Sequence, residues 1–212
     1  MGCPDKSIEK QGCGAAMIKD PAKAKEIIRA ALKSGLPVSV KTRIGYNQES
    51  IDEWLPNLLE EPIAALTVHL RTRKEMSKVP AHWDLMPRVV ALRDRLAPNV
   101  RIIGNGDVTD LACAKQKVEA YGCDGVMIGR GIFGNPWVFA GRTVEDTDPK
   151  ERLEALISFA YDFEAMVPAK SFHLVRKHVK AFVHGFDDAA LLRAKLMEAT
   201  SAAEMEAIVK SL

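Results

Sequence analysis

Apolar and polar residues alternate along the chain in a way that predicts four strands. The segment Leu36–Arg43 is predicted as the first, because Val38 and Val40 alternate with polar neighbours. Three further apolar segments are predicted as strands: Ala64–Leu70, Val100–Gly104 and Asp124–Ile128. A helical segment follows each of the first three, which is the spacing of βα units and predicts a parallel sheet.

Helices are predicted before and between these strands. The first covers about Asp20–Ser34, with Asp20 as its cap, Pro21 in its first turn and Gly35 at its end. The others are predicted over about Glu49–Glu60, Asp84–Leu96 and Thr109–Tyr121. The first part of the chain is therefore expected to be of the α/β class.

The pattern changes after Pro149. Residues 150–212 contain amphipathic helical periods and no strand candidate. Asp146–Pro149 is predicted to be a hinge, because Asp, Thr and Pro favour turns. We therefore expect two domains, an α/β domain in residues 1–148 and a small all-helical domain in residues 149–212.

Composition narrows the class of protein. The 212 residues are 47% hydrophobic, which is typical of a soluble globular protein, and no apolar run approaches the ~20 residues that span a bilayer. The four cysteines include no C-x-x-C pair, so we expect no metal and reduced thiols in a cytoplasmic protein. The net charge of +2 is too small to indicate a nucleic-acid partner by itself.

Polar residues collect where each predicted strand ends. Lys41 and Arg43 close the first strand, and His69 and Arg71 close the second. Asn105, Gly106 and Asp107 follow the third strand, and Gly129, Arg130 and Gly131 follow the fourth. Ligands of parallel sheets bind at this edge. Each element alone is a weak signal, since a lysine can be an edge charge and a histidine a core residue. Together they favour a binding site.

The glycines and one arginine indicate the ligand. Gly104, Gly106, Gly129 and Gly131 can let backbone amides approach a ligand, and helix N-termini with Arg130 add positive charge. The loops after the last strands of a (β/α)₈ barrel commonly hold a phosphate. A phosphorylated cofactor or substrate is therefore expected, with tight turns that bind nothing as the alternative.

Cys3, in the segment Met1–Pro4, is the candidate reactive residue. A thiol is mostly protonated at neutral pH and can act as a general acid. The alternative is a small apolar residue in a turn, and Cys13, Cys113 and Cys123 are assigned to packing.

The segment Lys170–His184 holds four Lys or Arg residues, three His residues and no acidic residue. On a helix, one stripe is apolar: Phe172, Val175, Val179 and Phe182. The opposite side is basic: His173, Arg176, Lys177, Lys180 and His184. Such a face is suited to a phosphate backbone, although a merely solvated helix face is the alternative.

Five ordered motifs resemble a known family. Gly2–Pro4 followed by Lys10–Met17 resembles the catalytic loop of tRNA-dihydrouridine synthases. Four later blocks resemble the same family in order: Val38–Gly45, Val68–Arg73, Ile103–Val108 and Asp124–Gly131. The helical tail with Arg176–His178 is similar to the family's RNA-binding domain.

The resemblance implies an FMN-binding (β/α)₈ TIM barrel with a helical tRNA-binding domain. This chain corresponds to the C-terminal half of that barrel and the helical domain, because the family pattern has three further strands ahead of the Gly-Cys-Pro loop. The implied reaction reduces the C5=C6 bond of uridine in tRNA, with NADPH as the source of hydride.

The resemblance also implies site residues. Cys3 would be the general acid, and Lys41 and His69 would lie at the flavin ring. The residues implied to hold the FMN ribityl phosphate are Asn105, Gly106, Asp107, Gly129 and Arg130. Those expected to contact tRNA are Arg176, Lys177 and Lys180, with Arg71 as a further candidate. Two alternatives stay open, namely an inactive fragment that only binds RNA and another FMN barrel oxidoreductase of the dihydroorotate dehydrogenase type.

Overall fold

The computed structural model describes residues 1–133, 135–167 and 169–211. The chain divides into two compact units, Met1–Gly129 and Arg130–Leu212. Each unit has its own hydrophobic core, so each is described by itself.

The first unit is built on a four-stranded parallel sheet. Its strands, in spatial and chain order, are β1 (Ser39–Arg43), β2 (Ala65–His69), β3 (Arg101–Asn105) and β4 (Gly125–Met127). The predicted α/β class and parallel sheet are confirmed.

Helices connect the strands and close the core. They are α1 (Lys6–Glu9), α2 (Pro21–Leu32), α3 (Ile51–Leu59), α4 (Met86–Leu96) and α5 (Leu111–Tyr121). Asp20 caps α2 as predicted, because its carboxylate accepts from the Lys23 amide at 3.0 Å. The helix predicted from Asp84 begins at Met86, because Trp83–Leu85 forms a 3₁₀ turn first.

The core of this unit lies between the helices and the sheet. Its largest fully buried side chains include Ile28, Trp54, Leu58, Leu66 and Ile102. The Trp54 indole N–H donates to Thr42 Oγ1 at 2.9 Å, so Thr42 of β1 points into this core. Side chains alternate along a strand, and Lys41 and Arg43 therefore lie on the other face.

The second unit is helical in the part of it that the structure describes, with no strand there. Two 3₁₀ turns, Arg130–Ile132 and Val138–Ala140, come first. Four α-helices follow: α6 (Pro149–Met166), α7 (His173–Phe182), α8 (Ala189–Leu196) and α9 (Ala202–Lys210). Their shared core includes Leu156, Ala160, Val179, Leu196 and Met205.

The units divide earlier in the chain than the boundary predicted at residue 148. Side chains explain the difference. The Arg142 guanidinium pairs with the Glu151 carboxylate of α6 at 2.7 Å, and the Asn135 amide donates to the Arg142 carbonyl at 2.8 Å. These contacts attach the segment before α6 to the helices. Residue 148 still marks the start of α6, where the Asp148 carboxylate accepts from the Lys150 amide.

Across residues 1–133, 135–167 and 169–211, no helix is long and apolar enough to cross a bilayer. The same residues contain no group of three or more His, Cys, Asp or Glu side chains that could hold a metal ion.

Candidate active site at the strand ends

The strand register brings the predicted polar residues together. Arg43 at the end of β1 pairs with His69 at the end of β2, which pairs with Asn105 at the end of β3. Three of the four strand ends therefore present a long polar side chain at the same level of the sheet. This is the edge at which parallel sheets bind ligands.

Lys41 and Asn105 are joined across the sheet. The Lys41 ammonium donates to Asn105 Oδ1 at 2.8 Å, and Asn105 Nδ2 donates to the Met127 carbonyl of β4 at 2.9 Å. Although part of Lys41 is open to solvent, the surrounding protein atoms lower its pKa, and the charge of Arg43 adds to this effect. The pair fixes a positive charge at the strand ends.

Arg43 holds the loop that carries Cys3. Its buried guanidinium donates to the Gly2 carbonyl at 2.8 Å and to the carbonyls of Thr72 and Met76 at 2.9 and 3.0 Å. Sequence reasoning placed Arg43 at the strand end but gave it no role. Its position two residues after Lys41, on the same face of β1, is the signal that could have indicated one.

The Cys3 thiol belongs to an exposed residue of this loop. The Cys3 carbonyl accepts from the Ala15 amide at 2.8 Å, which ties the two sides of the loop together. Gly14 makes this closure possible, because its φ is +63° and a Cβ there would lie 2.6 Å from the Cys3 carbonyl oxygen. The loop therefore holds its cysteine open to solvent next to the end of β1.

The other cysteines separate into two groups. Cys123 is buried and Cys113 half-buried, as their predicted packing roles require. The prediction is wrong for Cys13, which is exposed and lies one residue before Gly14 in the same loop as Cys3.

Arg71 is buried among protein groups rather than exposed to a large partner. Its guanidinium contacts His69 Nε2 at 3.1 Å, donates to the Val79 carbonyl at 2.6 Å and forms an ion pair with the Asp107 carboxylate. That carboxylate also accepts from the Ala81 amide at 2.8 Å. The prediction that Arg71 contacts tRNA is not supported, because its donors face the protein interior.

His69 is uncharged at neutral pH. Burial lowers its pKa to about 3, and the positive charges of Arg43, Lys41 and Arg71 act in the same direction, against the opposing effect of Asp107. An imidazole in this state can donate one hydrogen bond and accept another. It can therefore contact a polar heterocycle without adding charge to the site.

Two of the glycines make room for protein rather than for a ligand. A Cβ on Gly104 would lie 2.5 Å from the Trp83 ring, and one on Gly106 would lie 2.7 Å from the Ala81 Cβ. The Gly106 carbonyl also accepts from the Trp83 indole N–H at 2.8 Å. This corrects the prediction that the glycines of the third strand end are there for a ligand's approach. Gly129 is different, because a Cβ there would meet no atom within 4 Å.

Asp107 departs from its predicted role for a related reason. Its carboxylate is committed to Arg71 and to the Ala81 amide, and a carboxylate would repel a phosphate. Any cofactor contact from Asp107 would therefore come from its backbone. Arg130 is exposed in the first 3₁₀ turn of the second unit, and its contact with a phosphate stays a prediction.

Some basic side chains of the segment Lys170–His184 contact the protein itself and are less available to a partner than the sequence indicates. Lys177 and Lys180 of α7 are exposed, as predicted. The Arg176 guanidinium instead donates to the carbonyls of Glu198 and Ala199 at 3.0 and 2.8 Å, which satisfies groups just beyond α8. The His184 ring contacts buried Arg152 at 3.2 Å. The predicted tRNA face therefore keeps Lys177, Lys180 and His173 as its exposed basic residues.

Comparison with known proteins assigns a family to this arrangement. The sequence model described as Dihydrouridine synthase (Dus) matches residues 1–211. The chain belongs to the dihydrouridine synthase family. A (β/α)₈ barrel is the fold of that family, and the four consecutive parallel strands of the first unit agree with it.

Individual relatives within the dihydrouridine synthase family carry the same name. "Probable tRNA-dihydrouridine synthase" of Staphylococcus aureus (strain Mu50 / ATCC 700699) is 45% identical over 99% of this chain and 64% of its own length. The protein of that name in Staphylococcus epidermidis (strain ATCC 12228 / FDA PCI 1200) is 44% identical over 96% of this chain and 63% of its own. "Probable tRNA-dihydrouridine synthase 2" of Bacillus subtilis (strain 168) is 42% identical over 99% of this chain and 65% of its own length. The chain thus spans just under two thirds of the length of these relatives.

Proposed function

We propose that this chain carries the catalytic loop, part of the flavin site and the RNA-binding helices of a tRNA-dihydrouridine synthase. The observation that carries the proposal is the set of contacts at the strand ends. Lys41 bonded to Asn105, neutral His69, and the loop of Cys3 anchored by Arg43 all lie at the ligand-binding edge of the sheet. Family membership supplies the reaction for which these groups are suited.

The residues fit FMN. Lys41, Arg43 and Arg71 bring positive charge to the strand ends, where Asp107 pairs with Arg71. A net positive site favours an anionic cofactor such as FMN. Uncharged His69 suits the polar edge of a heteroaromatic ring, and the open space around Gly129 leaves room for a ligand close to the backbone.

When bound, FMN reduced by NADPH would supply a hydride to C6 of a uridine in tRNA. Lys41 would contact the flavin ring through its ammonium, and Asn105 would hold that ammonium in place. The Cys3 thiol would donate its proton to C5, which completes the reduction of the C5=C6 bond. Arg43 would position the thiol through the Gly2 carbonyl.

The reaction is tested with unmodified tRNA, FMN and NADPH. Dihydrouridine is measured by mass spectrometry for the 212-residue chain and for a chain that adds the remaining third of the family's length. Dihydrouridine from the longer chain supports the proposal. RNA binding without flavin binding in both chains would favour the RNA-binding fragment, and flavin reduction without any effect on tRNA would favour a small-molecule oxidoreductase.

Lys41→Met is expected to weaken FMN binding. The substitution removes a charged donor that Asn105 holds in place, and hydrogen bonds to charged groups contribute about 1.5–3 kcal/mol. FMN is titrated into the 212-residue chain and followed by its fluorescence, with an expected rise in Kd of about 10- to 100-fold. The matched control is Lys33→Met. Lys33 lies at the C-terminus of α2, which leads into the start of β1, whereas the proposed site lies at the ends of the strands. An equal effect of both substitutions would contradict the assignment.

Replacing Lys177 and Lys180 by alanine is expected to reduce the salt dependence of tRNA binding. Both side chains are exposed on α7, and each phosphate contact contributes about 0.7–0.9 to the slope of log affinity against log salt. Filter binding at several salt concentrations should therefore show a slope smaller by up to about 1.4–1.8. The control is Lys210→Ala, whose ammonium pairs with Glu206 at 2.5 Å. If the slope is unaltered by the double substitution, tRNA does not bind at these lysines.

A further inference from the structure

The contact between Arg71 and His69 defines where the imidazole carries its proton. Arg71 Nη1 lies 3.1 Å from His69 Nε2. A guanidinium has donors only and stays protonated in proteins, so Nε2 must be the acceptor. A neutral imidazole that accepts through Nε2 carries its hydrogen on Nδ1.

The guanidinium cannot easily turn away from this contact. The side chain of Arg71 is 3% exposed, its Nε donates to the Val79 carbonyl at 2.6 Å, and its Nη2 pairs with Asp107. Asp107 in turn accepts from the Ala81 amide. Each nitrogen of the Arg71 guanidinium therefore has a partner. The partners are His69 at the end of β2, Val79 in the segment after β2, and Asp107 just after β3.

The charges around the ring favour its neutral form. Burial lowers the pKa of His69 most, and the cations Arg43, Lys41 and Arg71 lower it further. The anion Asp107 raises the pKa, and its effect is the smallest. Protonation would place a fourth positive charge among three. The ring therefore keeps its single hydrogen on Nδ1.

The outward edge of the ring follows from its packing. A Cβ built on Gly106 would lie 3.5 Å from His69 Cδ2 and 3.6 Å from Nε2. The edge that carries Cδ2 and Nε2 therefore faces β3 and Arg71. Because Nδ1 lies across the imidazole from that edge, its N–H faces away from Arg71 and β3 and is the group of the ring that a ligand would meet.

We infer that Arg71 is a positioning residue that holds His69 in the Nδ1–H form, so that His69 donates a hydrogen bond to an acceptor atom of a bound heteroaromatic ring. The positioning half of this inference depends only on contacts within the first unit. The ligand half rests on the proposed function and deepens it, because it says that the cofactor atom facing His69 is a hydrogen-bond acceptor. It also replaces the tRNA contact predicted for Arg71.

The positioning half is tested by ¹⁵N NMR of the histidine-labelled 212-residue chain without ligand. His69→Gln identifies the His69 signals among those of the five histidines. Wild type should show a neutral ring with hydrogen on Nδ1, and Arg71→Met should shift the ring towards the Nε2–H form. Arg71→Lys, which keeps a donor, should preserve the Nδ1–H form. An Nε2–H or charged ring in wild type at pH 7 would overturn the inference even if Arg71→Met does not fold.

The ligand half is tested by adding FMN to the same samples. The Nδ1 signal of wild type should shift, and Arg71→Met should raise the Kd for FMN about tenfold, whereas Arg71→Lys should change it much less. FMN binding without a change at Nδ1 would overturn the ligand half alone. No FMN binding would count against the proposed function as well, while the spectra without ligand would still decide the positioning half.

Discussion

Cys3→Ala is expected to slow dihydrouridine formation by about 10²–10⁴-fold, the usual contribution of a general acid. The substitution removes the proton donor proposed for C5 of uridine and little else. The contact that closes the loop uses the Cys3 carbonyl, which alanine retains, and the anchor to Arg43 uses the Gly2 carbonyl. The loop should therefore keep its place, and FMN affinity should not change.

The rate is measured in a single turnover of the flavin-reduced protein on unmodified tRNA, in a chain of the family's full length. Cys13→Ala is the matched control, because Cys13 is also exposed and lies in the same loop. It should react at close to the wild-type rate. A Cys3→Ala protein that keeps more than a tenth of that rate would remove Cys3 from the catalytic role.

The elements of the first unit follow from sequence because their signals are local. The pattern of apolar residues defines Leu36–Arg43 and Val100–Gly104 closely enough to place the strand ends. Once the strands are parallel and adjacent, their ends must meet. The gathering of Lys41, His69 and Asn105 was therefore predictable from spacing alone.

The partners of the charged residues at that edge were not predictable in the same way. Arg43 ends β1 and Arg71 comes just after β2, and nothing in the order of residues shows whether such a guanidinium turns outwards or into the protein. The segment from Val79 to Trp83 decides it, because it supplies a carbonyl and an amide to the Arg71–Asp107 pair. Such contacts depend on the path of a loop, which no periodic pattern describes.

The same limit applies to α7. The apolar stripe predicted for this helix is confirmed at Val175 and Val179, which are buried. Its basic face was overestimated, because Arg176 reaches carbonyls more than twenty residues later in the chain. A helical projection places a side chain on a face but does not show what the neighbouring helix offers to it.

Gly106→Ala is expected to destabilise the first unit by about 2–4 kcal/mol, from overpacking and from backbone strain. The φ of Gly106 is +130°, which side chains rarely adopt, and its Cβ would lie 2.7 Å from the Ala81 Cβ. If the loop moves to relieve the overlap, it weakens the bonds from the Ala81 amide to Asp107 and from the Trp83 indole to the Gly106 carbonyl.

Urea denaturation followed by tryptophan fluorescence measures the loss, with two matched variants. Gly129→Ala should change the free energy of unfolding by less than about 0.5 kcal/mol, because a Cβ there meets no atom within 4 Å. Adding Ala81→Gly to Gly106→Ala should recover the overpacking part and leave the strain, which a double-mutant cycle separates. Equal losses from Gly106→Ala and Gly129→Ala would show that the segment from Val79 to Trp83 does not pack against the end of β3. The contacts proposed to hold Arg71 against His69 would then also be wrong, because the Asp107 carboxylate joins this segment to Arg71.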